Sequence, residues 1–334
     1  MSPIDASASA PQKSFHVAQG AGATIDPGPL EGAVVAIGNF DGVHRGHHAV
    51  IGTALARAEA LGRPAAALTF APHPRRFFRP QEPLFELSSL ADKLRLLAAT
   101  GLDGAVVMAF DAALAATPAE DFIGEILAGR LKIGGAVIGF DFHFGKNRTG
   151  SPAYLTEQGA RFGFTVDVVP PLEDEGRPVS SGSIRQALAA GRVVEAAELL
   201  GHPWFVTAEV VHGDKRGRDL GFPTANMQIG PSCGLKHGIY AVRARVDGEL
   251  RDGVASYGRR PTFDNGAPLL EVFLFDFADD LYGKVIEVAF IGWIRPELKF
   301  DSAGALVQQM EADAAKARAA LARAGGAFPV LGTI

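Results

Sequence analysis

One cysteine, Cys233, is all the chain holds. A disulfide framework within the chain is thereby excluded, and a structural zinc site lacks its thiolates. That scarcity fits a reducing compartment, and a cytoplasmic location is expected. Long apolar runs are missing as well: "GAVVAIG" and "GGAVIGF" fall far short of the ~18 residues needed to span a bilayer. Residues 1–20 have no basic start followed by an apolar core, so no signal peptide is read and no membrane partner is expected. Positive charge is not in excess either. With 32 Lys and Arg against 37 Asp and Glu the formal net charge is -5, which leaves no overall basic footprint for nucleic acid. No internal repeat is evident. Residues 1–14, Ser, Ala and Pro without periodicity, are expected to be a disordered tail.

What remains is a globular composition, 47% apolar and 21% charged over 334 residues, which suits two domains with sizeable cores. From Gly32 to about residue 190, apolar runs alternate with stretches of helical period. "AVVAIGNF", "PAAALTF", "GAVVMAF", "GAVIGFDF" and "FTVDVVP" read as buried strands. Between them "HHAVIGTALARAEALG", "LADKLRLLAATG" and "PAEDFIGEILAGRL" read as helices. Such alternation implies a parallel α/β sheet of Rossmann type, with ligands at the carboxyl ends of the strands. The segment "SSGSIRQALAAGRVVEAAELLGHPW" supplies two short helices, and Gly201 to Pro203 marks a border. After Trp204 the pattern becomes strand-like alternation punctuated by "DG" and "DNG" turns, which predicts an antiparallel barrel or sandwich. A helix stopped by glycines closes the chain.

The first strand runs into "GNFDGVHRGHH", where free backbone N–H groups and the helix dipole favour a bound phosphate. His44 and His47 are three apart, so on a helical turn they share a face and could both donate to one phosphoryl group. Gly46 leaves room for a nucleotide against the backbone, and Gly38 ends the strand. There is no GxGxxG here, and Gly145 and Lys146 lack the glycine that a Walker A loop requires. Three readings stand: solvated residues of an ordinary first turn, a zinc-binding His44 and His47, or donors to the phosphates of ATP. The composition of the turn favours the last.

In the second half, "VVHGDKRGRDLGFPTANM" joins a glycine-rich basic loop to an extended segment. Gly213, Gly217 and Gly221 would let the backbone approach a polyphosphate. Thr224 and Asn226, two apart, would face one side of a strand and offer oxygens to a hard cation such as magnesium. Taken alone, this loop also reads as an ordinary solvated basic hairpin.

The run "GNFDGVHRGH" carries the HxGH signature of the nucleotidyltransferase superfamily, and "TFAPHPRRFF", "LSSLADKLRLLA", "GFDFHFGKNRTG" and "VSSGSIRQAL" follow it in order. In the second half "GFPTAN", "GIYAV", "RPTF", "LLEVFLFDF", "DLYGK" and "RPELKF" continue the series. Together they resemble the prokaryotic bifunctional riboflavin kinase and FAD synthetase family, from about residue 33 to 320. The resemblance implies an FMN adenylyltransferase domain over 15–190, a linker over 191–203, a riboflavin kinase domain over 204–325 built on a six-stranded antiparallel barrel, and a tail over 326–334. It implies riboflavin, FMN and ATP as substrates, FAD as product and Mg2+ as cofactor, and it leaves transient self-association open.

By the same resemblance His44 and His47 contact the ATP phosphates, Asn39 and Asp41 shape the pocket, and Asp141 lies near the nucleotide. Ser180, Ser181 and Arg185 would embrace the leaving pyrophosphate. Thr224 and Asn226 would organise metal and phosphates, and Glu271 would be the general base toward the ribityl 5'-hydroxyl. Two departures stand out. Gly182 occupies a position where the family usually carries threonine, with Ser183 beside it as a partial substitute; Ser256 and Tyr257 replace a usual Asn-Ile. A synthetase of another HxGH type has no KMSKS-like loop to support it. A kinase with weak or lost adenylylation, or a flavin-binding regulatory protein, remains as the alternative.

Overall fold

In the computed structural model, residues 14–174, 176–212, 221–259 and 268–334 are described. Six strands form the N-terminal sheet: β1 (His16–Gly20), β2 (Val34–Ile37), β3 (Ala65–Ala71), β4 (Gly104–Ala109), β5 (Gly135–Gly139) and β6 (Thr165–Val169). Their order is β1-β4-β3-β2-β5-β6 and every pairing is parallel. All four residues of β2 are buried, as a central strand covered on both faces requires. Successive strands step from β2 to β3 to β4 in one direction and from β5 to β6 in the other. The strand order therefore reverses between β2 and β5, the crevice where open α/β sheets bind ligands.

The three helices expected from periodicity are present as α1 (Arg45–Leu61), α3 (Leu90–Ala98) and α5 (Ala119–Asp121), and three that were not expected, α2 (Pro74–Phe78), α4 (Ala112–Ala116) and α6 (Pro152–Phe162), accompany them. α5 runs straight into a π-helix, Phe122–Arg130, whose Phe122, Ile123, Ile126 and Leu127 share the buried face. The sheet's edge strand β1 was not legible, since "HVAQG" buries only Ala18 and is too short to show a period. A small hairpin of β7 (Glu173–Asp174) and β8 (Arg177–Pro178) precedes α7 (Ser181–Ala189) and α8 (Val193–Leu200).

The second half is a closed antiparallel barrel of six strands in the order β10-β13-β12-β11-β14-β9. Its members are β9 (Phe205–Val211), β10 (Ala225–Met227), β11 (Gly238–Val246), β12 (Glu249–Arg259), β13 (Pro268–Leu274) and β14 (Val285–Arg295). Asp247 and Gly248, both at positive φ, make the two-residue turn between β11 and β12 that the "DG" signal predicts. The terminal helix α9 (Ala303–Arg323) lays Ala317 and Leu321 against Ala241 and Phe275 on the outside of the barrel.

The two halves share a core. Residues of α7 and α8 cluster with Leu87 and with Trp204, Met227, Tyr240 and Phe290 of the barrel side. The stretch 191–203, expected as a linker, thus carries α8, whose Val193, Ala196, Leu199 and Leu200 recur at helical spacing and are buried. Across the same boundary the Trp204 indole N–H donates to the Leu87 carbonyl at 2.8 Å and Thr207 donates to Asp92 at 2.8 Å. Arg95 of α3 and Arg245 of β11 both pair with the buried Glu287 of β14. The tail after α9 packs too: Phe328 and Leu331 join a core cluster, and the Gly332 N–H donates to the Arg95 carbonyl at 2.9 Å.

Candidate active sites

Between β2 and α1 the backbone takes an unusual path. Phe40, Gly42 and Val43 all have positive φ, at 48, 81 and 42°. For a β-branched or bulky residue that region is strained, and such strain concentrates at functional sites. The burial of Phe40 and Val43 holds the turn in place, and the Phe40 ring packs edge-on to His47 at 5.1 Å between centroids.

His44 is the N-cap of α1. Its Nδ1 accepts from the His47 backbone N–H at 3.3 Å, and the His47 Nδ1 accepts from the His44 backbone N–H at 3.2 Å. This is a capping box built from two imidazoles, which stack 3.6 Å apart at 19°. With both Nδ1 atoms accepting, a neutral ring must carry its proton on Nε2, so each ring keeps one N–H donor beyond the cap. Burial lowers the His44 pKa to about 4, with His48 and Arg185 lowering it further. Burial and the neighbouring His44 and Lys93 push His47 well below the usual histidine range. The pair is therefore neutral at pH 7. A Cβ on Gly46 would stand 3.1 Å from the His44 ring and from the Val179 carbonyl oxygen, so a side chain here would crowd both. His48 is exposed and takes no part in the stack.

Asp41, 2% exposed, ties the loop to the rest of the domain. Its Oδ1 accepts from the backbone N–H groups of Leu87 and Ser88 at 2.8 and 3.2 Å, and its Oδ2 accepts from the Arg185 guanidinium. Arg185 also donates through Nε to the Phe85 carbonyl. Ser181 donates to the Asp41 carbonyl at 3.0 Å, so α7 is fastened to the loop by two side chains. Ser180 caps α7 in a second capping box with Ser183. The Ser183 hydroxyl is also within 2.9 Å of the Ser180 carbonyl, so here it serves the cap. Asn39 is half-buried, with its carbonyl accepting from Thr69 at 3.1 Å. Gly38 lies under the Phe40 ring. Asp141 is exposed past the end of β5, the strand next to β2, where its carbonyl accepts from His143 at 2.9 Å. The structure thus brings His44, His47, Asn39, Asp41 and Arg185 to one place and sets Asp141 across the β2–β5 crevice.

On the barrel, strand register lines up a second set. Asn226 of β10 pairs with Glu271 of β13, and Glu271 pairs with Ser256 of β12. Residues directly opposite share a face. Their neighbours Ala225, Met227, Leu270, Val272, Ala255 and Tyr257 belong to the barrel core, so Asn226, Glu271 and Ser256 stand in a row on the outer face. The Asn226 amide donates to the Thr224 carbonyl at 3.4 Å, which places Thr224 at the head of that row. Phe222 packs edge-on to Phe273, also on the outer face, at 5.0 Å. Gly221 has φ 83°, as the expected approach of backbone to phosphate allows. Gly213 and Gly217, with the basic residues between them, and the "RPTF" segment lie outside the described residues.

Comparison with known proteins agrees with both halves. The FAD synthetase family model matches residues 27–183 and the riboflavin kinase model matches residues 200–321. The bifunctional riboflavin kinase/FMN adenylyltransferase of Haemophilus influenzae is 40% identical over 291 residues, 87% of this chain and 94% of that one. The chain belongs to this family. Its relatives in Pseudomonas fluorescens and Escherichia coli K12, which carry the same name, are 40% and 38% identical over 86% and 88% of this chain, and 93% and 94% of theirs. A crystal structure of a macrolide-efflux protein from Streptococcus pneumoniae, 32% identical, superposes with a TM-score of 0.80 over 89% of this chain and 97% of that one. Membership makes the chain a transferase with the family's kinase and nucleotidyltransferase domains. No helix among the described residues is long and apolar enough to cross a membrane.

Sequence reading missed the strap of residues 85–88 that holds Asp41 and Arg185, because backbone donors leave no mark in residue type. It also missed the buried Lys93, which the quoted "LADKLRLLA" contained but periodicity alone assigns to a helix surface.

Proposed function

We propose that the chain makes FAD in two steps at two places: riboflavin and ATP to FMN and ADP on the outer face of the barrel, then FMN and ATP to FAD and pyrophosphate at the β2–β5 crevice. The observation that carries this reading is that the two residue sets converge in separate domains, His44 with His47 at the N-terminus of α1 and Asn226 with Glu271 on the paired strands β10 and β13. The adenylyltransferase domain spans 15–190, and the kinase domain spans 204–325.

At the crevice the two Nε2–H groups and the N-terminus of α1 would receive the ATP phosphates as neutral donors, avoiding the cost of desolvating two adjacent cations. Attack by the FMN phosphate on the α-phosphorus forms one P–O bond and breaks the bond to the leaving pyrophosphate, with no covalent protein intermediate. Arg185, fixed by Asp41 and the Phe85 carbonyl, would offer its guanidinium to the pyrophosphate with little ordering cost. Ser180 and Ser181 would complete that side, and Asp141 would meet the nucleotide from β5.

On the barrel, Glu271 would accept the proton of the ribityl 5'-hydroxyl as it attacks the γ-phosphate. Thr224, Asn226 and Glu271 are hard oxygen donors, and no group of three His, Cys, Asp or Glu that could hold an ion occurs among the described residues. That set fits Mg2+ carried mostly by phosphates and water, with Thr224 and Asn226 as its protein contacts. When bound, the ion would neutralise charge on the transferred phosphate. Gly213, Gly217 and Gly221 would let the backbone approach the polyphosphate. The partners in this reading are riboflavin, FMN and ATP. It places the chain in the cytoplasm, with any self-association transient.

Purified protein given riboflavin, ATP and magnesium should yield FMN and then FAD with pyrophosphate, followed by flavin chromatography. FMN without FAD would support the kinase-only alternative, and flavin bound without turnover would support a regulatory protein.

A further inference from the structure

Among the buried charged residues, Asp41, Asp92, Arg243, Glu287 and Asp313 all have ion-pair or hydrogen-bond partners. Lys93 is the exception. It lies on α3, 4% exposed, and its ammonium has no hydrogen bond or ion pair among the described residues. Burying an unpaired charge is costly, and a protein that keeps one without need would do better with an apolar side chain of the same length.

The surroundings of Lys93 say what it is for. It interacts electrostatically with Asp41 of the β2–α1 loop, His47 of α1, His73 of the β3–α2 loop and Glu86 of the strap. The ammonium thus sits near the carboxyl ends of β2 and β3, on the β3 side of the loop that carries His44 and His47. Asp41 is already engaged by Arg185, and Glu86 pairs with Arg76 at 2.6 Å. Both carboxylates thus have an arginine as direct partner, and neither forms an ion pair with Lys93.

We propose that Lys93 is a catalytic residue of adenylyl transfer, its ammonium hydrogen-bonding the non-bridging phosphate oxygens at the reacting centre. This rests on the reading of the crevice as the site where FMN meets ATP. Two phosphates of like charge must approach there, and the histidine pair, being neutral, offers them no cation. Lys93 keeps its proton throughout: an FMN phosphate oxygen bonds to the α-phosphorus, the bond to the β-phosphate breaks, and pyrophosphate leaves with that electron pair. The ammonium offsets the negative charge that crowds the transition state.

The test is Lys93→Met in the full chain, with FAD formation from FMN and ATP, riboflavin phosphorylation and thermal unfolding measured side by side. Loss of one charge-stabilising donor predicts a fall in kcat for FAD formation of about 10²–10³-fold. The melting temperature should be unchanged or higher, since no pair is broken. A pH profile adds a second readout. Burial lowers the Lys93 pKa while Asp41 and Glu86 raise it, and His44, His47, His73 and Arg185 are the other ionisable groups around this loop. The wild-type rate should fall on the alkaline side below the range of an ordinary lysine, and Lys93→Met should lack that limb. A variant that makes FAD within about threefold of wild type overturns the proposal, as does one that loses both activities with a lowered melting temperature, given that single donors are worth far more. If wild type itself makes no FAD, the reading of the crevice fails and the role of Lys93 with it.

Discussion

His44 and His47 meet as neutral rings because each uses its Nδ1 to cap the other's backbone and because burial disfavours the charged form. The same burial has a consequence for stability. The folded-state pKa of His44 is about 4, below its ordinary 6.5, and His73 is lowered to about 4 as well, again chiefly by burial. Between those values the unfolded chain binds protons that the folded chain refuses, so unfolding free energy rises with pH through the window and is lost as pH falls from 6.5 to 4. Asparagine can replace His44 as a cap without titrating. His44→Asn should therefore flatten the slope of melting temperature against pH in that interval, and an unchanged slope would show that the ring is not the proton-linked group. The spacing of these two histidines and their place after a strand were readable in the chain. Their tautomer and neutrality were not, since both depend on backbone donors and on burial that only the folded loop creates.

α7 shows how a local departure is accommodated by its element. Gly182 lies in the first turn, and a Cβ there would meet only the Ser180 hydroxyl at 3.5 Å, an ordinary contact. A side chain fits, so the usual threonine is not excluded by space. Gly182→Thr should stabilise the protein by about 0.5 kcal/mol, because glycine carries extra unfolded-state freedom in a helix; chemical denaturation measures it. Ser183 is held in the capping box, and Gly182→Thr should also raise FAD formation if a hydroxyl is missing from the pyrophosphate side. Equal rates would show that Ser180, Ser181 and Arg185 suffice. Most elements were legible because buried parallel strands and amphipathic helices have clear periods. β1 was not, since it is an edge strand with one buried residue. The strap 85–88 was not either, since it acts through main-chain groups.

The molecule as a whole is two folds joined by a common core rather than by a flexible linker. α8 fills the boundary, Glu287 draws arginines from both halves, and the chain returns after α9 to pack Phe328 and Leu331 beside α3. Ending the chain at Gly326 should cost about 2–3 kcal/mol from the lost apolar burial, seen as a lower melting temperature. No change would mean the tail contributes nothing to the joint. The division into a nucleotide-binding sheet and a barrel was legible from the switch of period after Trp204. The shared core was not, because side chains that meet across a boundary carry the same apolar signature as those within a domain. Sharing a core does not make the two chemistries one: Glu271 lies on the barrel's outer face, while His44 and His47 lie at the β2–β5 crevice. The central claim is that each domain runs its own step. Flavin chromatography of Glu271→Ala, given riboflavin with ATP in one reaction and FMN with ATP in another, tests it most directly. The account predicts no FMN from riboflavin and undiminished FAD from FMN. FMN formed at the wild-type rate, or FAD lost along with FMN in a variant that melts as wild type does, would contradict it.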